Sequence, residues 1–214
     1  MKIGILTLPL HINYGGYLQA FALKSILLEH GNEVYLIENK NLYGNLLKRG
    51  LRQIKDSFSL LLFYLGKKNK EAEFILKEKK ISIFKDNYMC PIVDISNSKT
   101  LNDLDIVIVG SDQVWRPWKG LCRNSLYFFL DFIKSTKTKK ISYAASFGID
   151  KWEYNPVETI QIKKLLQDFS IISVREDDGV SLLQDNLGLP SIRMCDPTLL
   201  LTMKVFTTDY YSIF

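Results

Sequence analysis

Apolar residues along this chain fall into short continuous blocks, and between the blocks the apolar positions recur at helical spacing. Lys2–Leu8 is a short apolar run bounded by Pro9 and reads as a buried strand. A loop of His11, Ile12, Asn13, Tyr14, Gly15 and Gly16 follows. Tyr17–His30 then reads as a helix, with Leu18, Phe21, Ala22, Ser25 and Leu28 at helical spacing and Gly31 as the stop. Glu33–Glu38 is a second strand, so the first 38 residues form a strand, a Gly loop, a helix and a strand. Such a unit crosses over right-handed and builds a parallel sheet. Residues 43–90 read as a helical insertion, with Leu46, Leu47, Leu51 and Ile54 on one helix and Phe74, Ile75, Ile81 and Phe84 on another.

The alternation resumes after Leu101. Asp105–Val109 is almost uniformly apolar, as strands buried on both faces are. Lys140–Ala145, Ser170–Val174 and Ser191–Cys195 read as further strands, six in all. Two helices lie between them: Asn155–Asp168, with Asn155 as N-cap and Pro156 at the first position, and Asp177–Gly188, with Gly188 at the C-cap. The predicted class is α/β with a parallel sheet.

Open parallel sheets bind ligands outside the carboxyl ends of their strands. The residues of chemical interest stand there: Asn13, Tyr14, Gly15, Gly16 and Gln19 after the first strand, Ser111, Asp112 and Gln113 after the Asp105 strand, Ser146 after the next, Arg175 and Glu176 after another, and Asp196 after the last. Gly15-Gly16 ahead of a helix suits either an anion held by backbone N–H groups or a tight turn, and it lacks the GxGxxG spacing of a dinucleotide site. Asp112 suits either a helix cap or a sugar hydroxyl. Trp115 and Trp118 suit either an aromatic platform or packing. Arg175 directly follows a buried strand, and a guanidinium grips carboxylate or phosphate through two parallel bonds. Its alternative is an ion pair with Glu176 or Asp177. Asp196 before Pro197 reads as a turn cap. His30 suits the carbonyl end of its helix, and His11 stands without partner ligands.

Composition narrows the classes. With 47% hydrophobic and 24% charged residues the chain is neither disordered nor a membrane protein. Its longest apolar block, Phe58–Leu65, is far short of the roughly 20 residues that span a bilayer. The three cysteines, Cys90, Cys122 and Cys195, form no CxxC pair, which fits a reducing cytoplasm and leaves zinc and redox motifs unsupported. Cys195, at an apolar strand end, is expected to be buried. The net charge of +5 is uneven: residues 40–90 hold 12 Lys and Arg against five Asp and Glu. That segment is a solvated helical face or a contact for an anionic membrane surface or lipid-linked substrate. Nucleic acid is not expected, because the excess is local and no binding module accompanies it.

Taken together, six segments resemble the polysaccharide pyruvyl transferase family. They are Ile3–Thr7, Asn13–Ala20, Asp105–Trp115, Ile141–Gly148, Ile172–Glu176 and Cys195–Leu200, in family order across residues 1–202. The resemblance implies a Rossmann-like domain forming one half of a GT-B-like architecture. It further implies transfer of a pyruvyl group from phosphoenolpyruvate, as donor substrate with no cofactor, to hydroxyls of a sugar or lipid-linked saccharide acceptor of a cell-surface or exopolysaccharide. Arg175 matches the arginine expected to hold the donor's anionic group, with Asn13, Tyr14, Gly15, Gly16, Gln19, Ser111, Asp112, Gln113, Ser146 and Glu176 beside it. Residues 203–214 depart from the family pattern, as a truncation or frameshift leaves it, and no histidine follows His30. Activity is therefore expected only with a C-terminal half supplied in trans. The alternatives are a non-catalytic sugar- or anion-binding domain and a GT-B glycosyltransferase using a nucleotide sugar. The expected location is the cytoplasm, peripherally at the inner membrane surface if the basic segment engages it.

Overall fold

The computed structural model describes residues 1–9, 14–39, 70–89, 91–117 and 126–201. The calls on His11, Asn13, Cys90, Trp118, Cys122, the basic stretch 40–69 and the tail 203–214 lie outside the described residues. Among the described residues there are eight strands: β1 (Lys2–Leu6), β2 (Glu33–Glu38), β3 (Ile92–Asp94), β4 (Ile106–Gly110), β5 (Lys139–Tyr143), β6 (Phe169–Ile171), β7 (Ser173–Val174) and β8 (Ile192–Arg193). The first six form one sheet in the order β3-β2-β1-β4-β5-β6, every pair parallel. This is the doubly wound, Rossmann-like order. The winding reverses between β1 and β4, which leaves a crevice beyond their carboxyl ends.

Among the described residues five α-helices accompany the strands: α1 (Tyr14–Glu29), α2 (Lys70–Phe84), α3 (Ser98–Asn102), α4 (Pro156–Leu166) and α5 (Asp177–Leu187). Both faces of the sheet are covered, and the central strand β4, Ile-Val-Ile-Val-Gly, carries no polar side chain. In β4, Val107 and Val109 join the core under α4 and α5, while Ile108 joins the core under α1. Helix α1 starts three residues earlier than the periodicity implied. It buries Tyr17, Ala20, Phe21 and Leu23 and leaves Leu28 exposed, because the sheet, α2 and the 3₁₀ turn Pro197–Leu200 crowd it from several sides.

The described part of the presumed insertion belongs to the fold. Helix α2 and the π-helical turn Lys85–Met89 lead into β3, which extends the sheet beside β2. They form the end of a crossover. The edges of Phe21 and Tyr17 meet Phe84 at centroid distances of 5.5 and 6.0 Å, which fastens α2 to α1. Strand β3 escaped notice in the sequence because three residues show no periodicity.

Helix α4 begins as its residues dictate. Asn155 accepts from the Glu158 amide at 2.9 Å and Glu158 accepts from the Asn155 amide at 3.1 Å, a reciprocal cap. Helix α5 ends at Gly188 in the left-handed conformation (φ 65°). The strand expected over Ser170–Val174 is interrupted at Ile172. Register slips between β5 and β6, and hydroxyl groups repair the ladder. Ser173 donates its amide to Ser142 Oγ (2.8 Å) and its hydroxyl to the Ser142 carbonyl (2.7 Å), while Ser142 Oγ donates to the Ser173 carbonyl (3.0 Å). Strand β7 then pairs with β8, and the Arg175 amide donates to the Ala145 carbonyl at 3.0 Å. Arg175 is thereby delivered to the carboxyl rim. No helix among the described residues is long and apolar enough to cross a membrane.

Candidate functional site

At the switch point the ends of β1 and β4 are tied together by one side chain. Gln19, in the second turn of α1, is buried. Its Nε2 donates to Thr7 Oγ1 (2.9 Å) and to the Gly16 carbonyl (2.8 Å), and its Oε1 accepts from both the amide and the hydroxyl of Ser111 (each 2.9 Å). All the amide's hydrogen-bonding capacity is spent on the protein. The result fixes the start of α1 over the crevice, where the helix dipole supplies partial positive charge.

A cleft of about 370 Å³ opens beside this staple, lined by Gly15, Gly16, Leu18, Gln19, Asp112, Arg175, Asp196 and Thr198. Arg175 stands at its centre. Its Nε donates to Glu176 Oε1 at 2.7 Å and its Nη1 to Asp196 Oδ2 at 3.4 Å. Burial works to lower the guanidinium's pKa, but the hydrogen bond it donates to Glu176 and the charges of Glu176, Asp196 and Asp112 outweigh it and raise the pKa above the ordinary value. Arg175 stays a cation throughout the accessible pH range. Burial raises the pKa of Asp112, against the Gln113 amide that it accepts (2.8 Å) and the charge of Arg175. Tyr143, at the end of β5, is pushed up to about 12 by burial, and by Cys195 and Asp196 beside it. One guanidinium thus faces three carboxylates in a partly desolvated site. The group set suits a ligand carrying both an anionic end for Arg175 and hydroxyls for Asp112 and Asp196.

Of the residues expected at the site, Gly15, Gly16, Gln19, Asp112 and Arg175 line the cleft. Five others do not. Tyr14, the first residue of α1, packs partly buried against the core. Ser111 is fully buried and spends its hydroxyl on Gln19. Gln113 lies against Gly148, whose added Cβ would approach its side chain to 2.7 Å. Ser146 is fully buried; its hydroxyl donates to Glu176 (3.0 Å) and accepts from the Gly148 amide (2.9 Å), and Glu176 faces Arg175. Arg175 lines the cleft and, as its alternative reading expected, pairs with Glu176, while Asp177 pairs with Arg193 at 2.6 Å. Trp115 is no platform. It is wholly buried, its indole N–H donates to the Phe128 carbonyl (3.1 Å) and its ring stacks on Phe129. Cys195 is exposed, because β8 ends at Arg193 and the chain turns out to the rim.

Asp196 was legible only as a cap. It is a cap, through Oδ1 to the Thr198 amide (3.0 Å) and hydroxyl (2.7 Å), and its second oxygen meets Arg175. Leu18, Tyr143 and Thr198 lie within the segments that carry the family resemblance but were not singled out as site residues. Among the described residues no group of His, Cys, Asp and Glu is arranged to hold a metal ion.

Fold and site together define a doubly wound, Rossmann-like α/β domain with an arginine-centred cleft at the carboxyl rim of its sheet. The chain belongs to the polysaccharide pyruvyl transferase family, whose sequence profile matches residues 13–212. No curated protein matches it in sequence at a significant level. Two solved structures share part of its fold. Both are of an α-glucosyltransferase in complex with UDP and a 13-mer DNA containing an HMU base, at 13% and 14% identity and a TM-score of 0.40. In each case 90% of this chain is covered, and the chain spans 41% of the other's length.

Proposed function

We propose that this chain takes part in transferring a pyruvyl group from phosphoenolpyruvate to a pair of hydroxyls on a cell-surface or exopolysaccharide sugar. The observation that carries the reading is Arg175: in a chain of this family, it is the one cation lining the described cleft. The proposed chemistry balances. A proton adds to the methylene carbon of the donor, one sugar hydroxyl adds to the resulting cation at the central carbon and a second displaces phosphate there. The two hydroxyl protons leave, and the product is a ketal plus inorganic phosphate. In this reading Arg175 holds the donor's carboxylate or phosphate and the start of α1 adds its dipole. Asp112 and Asp196 accept hydrogen bonds from sugar hydroxyls. The general acid and further cations belong to a second half of a GT-B-like architecture, supplied in cis or in trans. Action in the cytoplasm, at the inner membrane surface where lipid-linked acceptors are presented, fits the basic stretch 40–90.

Calorimetric titration of the whole chain with phosphoenolpyruvate tests the reading, with the Arg175→Ala variant beside it. Binding that the variant loses supports it. Binding of a nucleotide sugar in place of phosphoenolpyruvate would transfer the site to glycosyl transfer.

A further inference from the structure

Arg175 is held unequally on its two sides. The contact to Glu176, which does not line the cleft, runs from Nε to Oε1 and is 2.7 Å long, within the range of charge-assisted bonds. The same carboxylate oxygen accepts the hydroxyl of Ser146 at 3.0 Å. That hydroxyl in turn accepts the Gly148 amide at 2.9 Å, which commits its proton toward Glu176. Ser146 is fully buried, so water does not compete. The contact to Asp196, which lines the cleft, is loose: Nη1 to Oδ2 is 3.4 Å. Asp196 does not depend on that contact for its place, because its other oxygen is anchored on Thr198.

From this asymmetry we infer that Gly148, Ser146 and Glu176 form a brace fixing the guanidinium at its Nε, and that Asp196 is an internal stand-in displaced from Nη1 on the cleft side by a ligand's carboxylate or phosphate oxygen. The inference rests on the reading that Arg175 holds the donor's anionic group. It assigns Ser146 and Glu176 as positioning residues, and it gives Asp196 a sign opposite to that of a ligand contact. A pre-oriented guanidinium loses less side-chain entropy on binding. A carboxylate already facing it holds the charge when the cleft is empty, and it discriminates against ligands too weakly anionic to displace it.

Three variants of the whole chain separate the parts. Glu176→Ala removes the brace without touching a helix cap, because the Glu176 side chain makes no capping bond to α5. Ser146→Ala removes it one step further back. Each is expected to weaken phosphoenolpyruvate binding about tenfold, the worth of one charge-assisted bond. Each also speeds exchange of the Arg175 Nε–H proton in NMR spectra, which a change confined to stability would not move. Asp196→Asn keeps the Thr198 contacts and is expected to tighten binding about threefold. Inorganic phosphate is titrated in parallel. If phosphate binds with this pattern and phosphoenolpyruvate does not, the proposed reaction fails and the brace stands. Unchanged Nε–H exchange in both brace variants overturns the brace. Weaker binding in Asp196→Asn, or no binding of either anion by the parent chain, overturns the stand-in.

Discussion

The loop after β4 and the loop after β7 have the same address, at the carboxyl rim of a parallel sheet, and each carries a conspicuous polar and charged motif. They are used in opposite ways. Across Gly110–Trp115 nearly everything turns inward: Ser111 bonds Gln19, Trp115 stacks on Phe129, and Asp112 alone lines the cleft. At Arg175–Glu176 the carboxylate is the support and the guanidinium reaches the opening. Position at a strand end is therefore not enough to make a residue a ligand. What decides is whether its polar atoms are already spent on the protein.

The largest test of the contrast is Gly110→Ala. Gly110 has φ 128°, and an added Cβ would lie 2.1 Å from the Tyr143 carbonyl oxygen, a backbone atom that cannot step aside. The expected loss is at least about 4 kcal/mol, seen as failure to accumulate folded protein. Trp115→Ala comes next. Truncating a fully buried indole is expected to cost roughly 3 kcal/mol in urea unfolding. Anion affinity of the folded fraction should stay unchanged if this loop is structural, and a selective loss of affinity would make Trp115 part of the site after all.

Arg175→Lys should invert that pattern. An ammonium keeps the charge and loses the fork, so phosphoenolpyruvate binding is expected to fall about tenfold while the urea midpoint hardly moves. The smallest effect belongs to Asp112→Asn. Burial, chiefly, raises the folded-state pKa of Asp112 above the ordinary carboxylate value. The stability it contributes is present below that ordinary range and is lost as pH rises through the raised value. The asparagine variant should therefore match the parent in acid and become slightly more stable toward neutral pH, read from urea midpoints across that window. A gap that widens toward acid would reverse the assigned sign.

Much of the fold was legible because local rules and the global arrangement agree. The apolar block of β4 announces a strand covered on both faces. Asn155-Pro156 and Gly188 bound their helices by chemistry that acts within one turn. The family resemblance agrees with the profile match over residues 13–212, which leaves out the segment Ile3–Thr7 and runs on through residues 203–212, where a departure from the family pattern was expected. The misreadings share one cause. The short strand β3, the interruption at Ile172, the role of α2 as a crossover and the buried face of α1 all depend on partners far along the chain.

The same division runs through the site. The amino-acid sequence by itself determined the α/β class, the strand ends where chemistry gathers and the presence there of an arginine beside acidic residues. These follow from periodicity and side-chain chemistry, which are properties of neighbours in the chain. Only the tertiary structure decided that Gln19 and Ser111 consume each other's hydrogen bonds, that Ser146 faces Glu176, that Cys195 is exposed and that Asp196 meets Arg175 across 21 residues of chain. Which polar atom is satisfied and which is left for a ligand depends on pairs brought together by the parallel crossovers, and no local pattern encodes the distance between them.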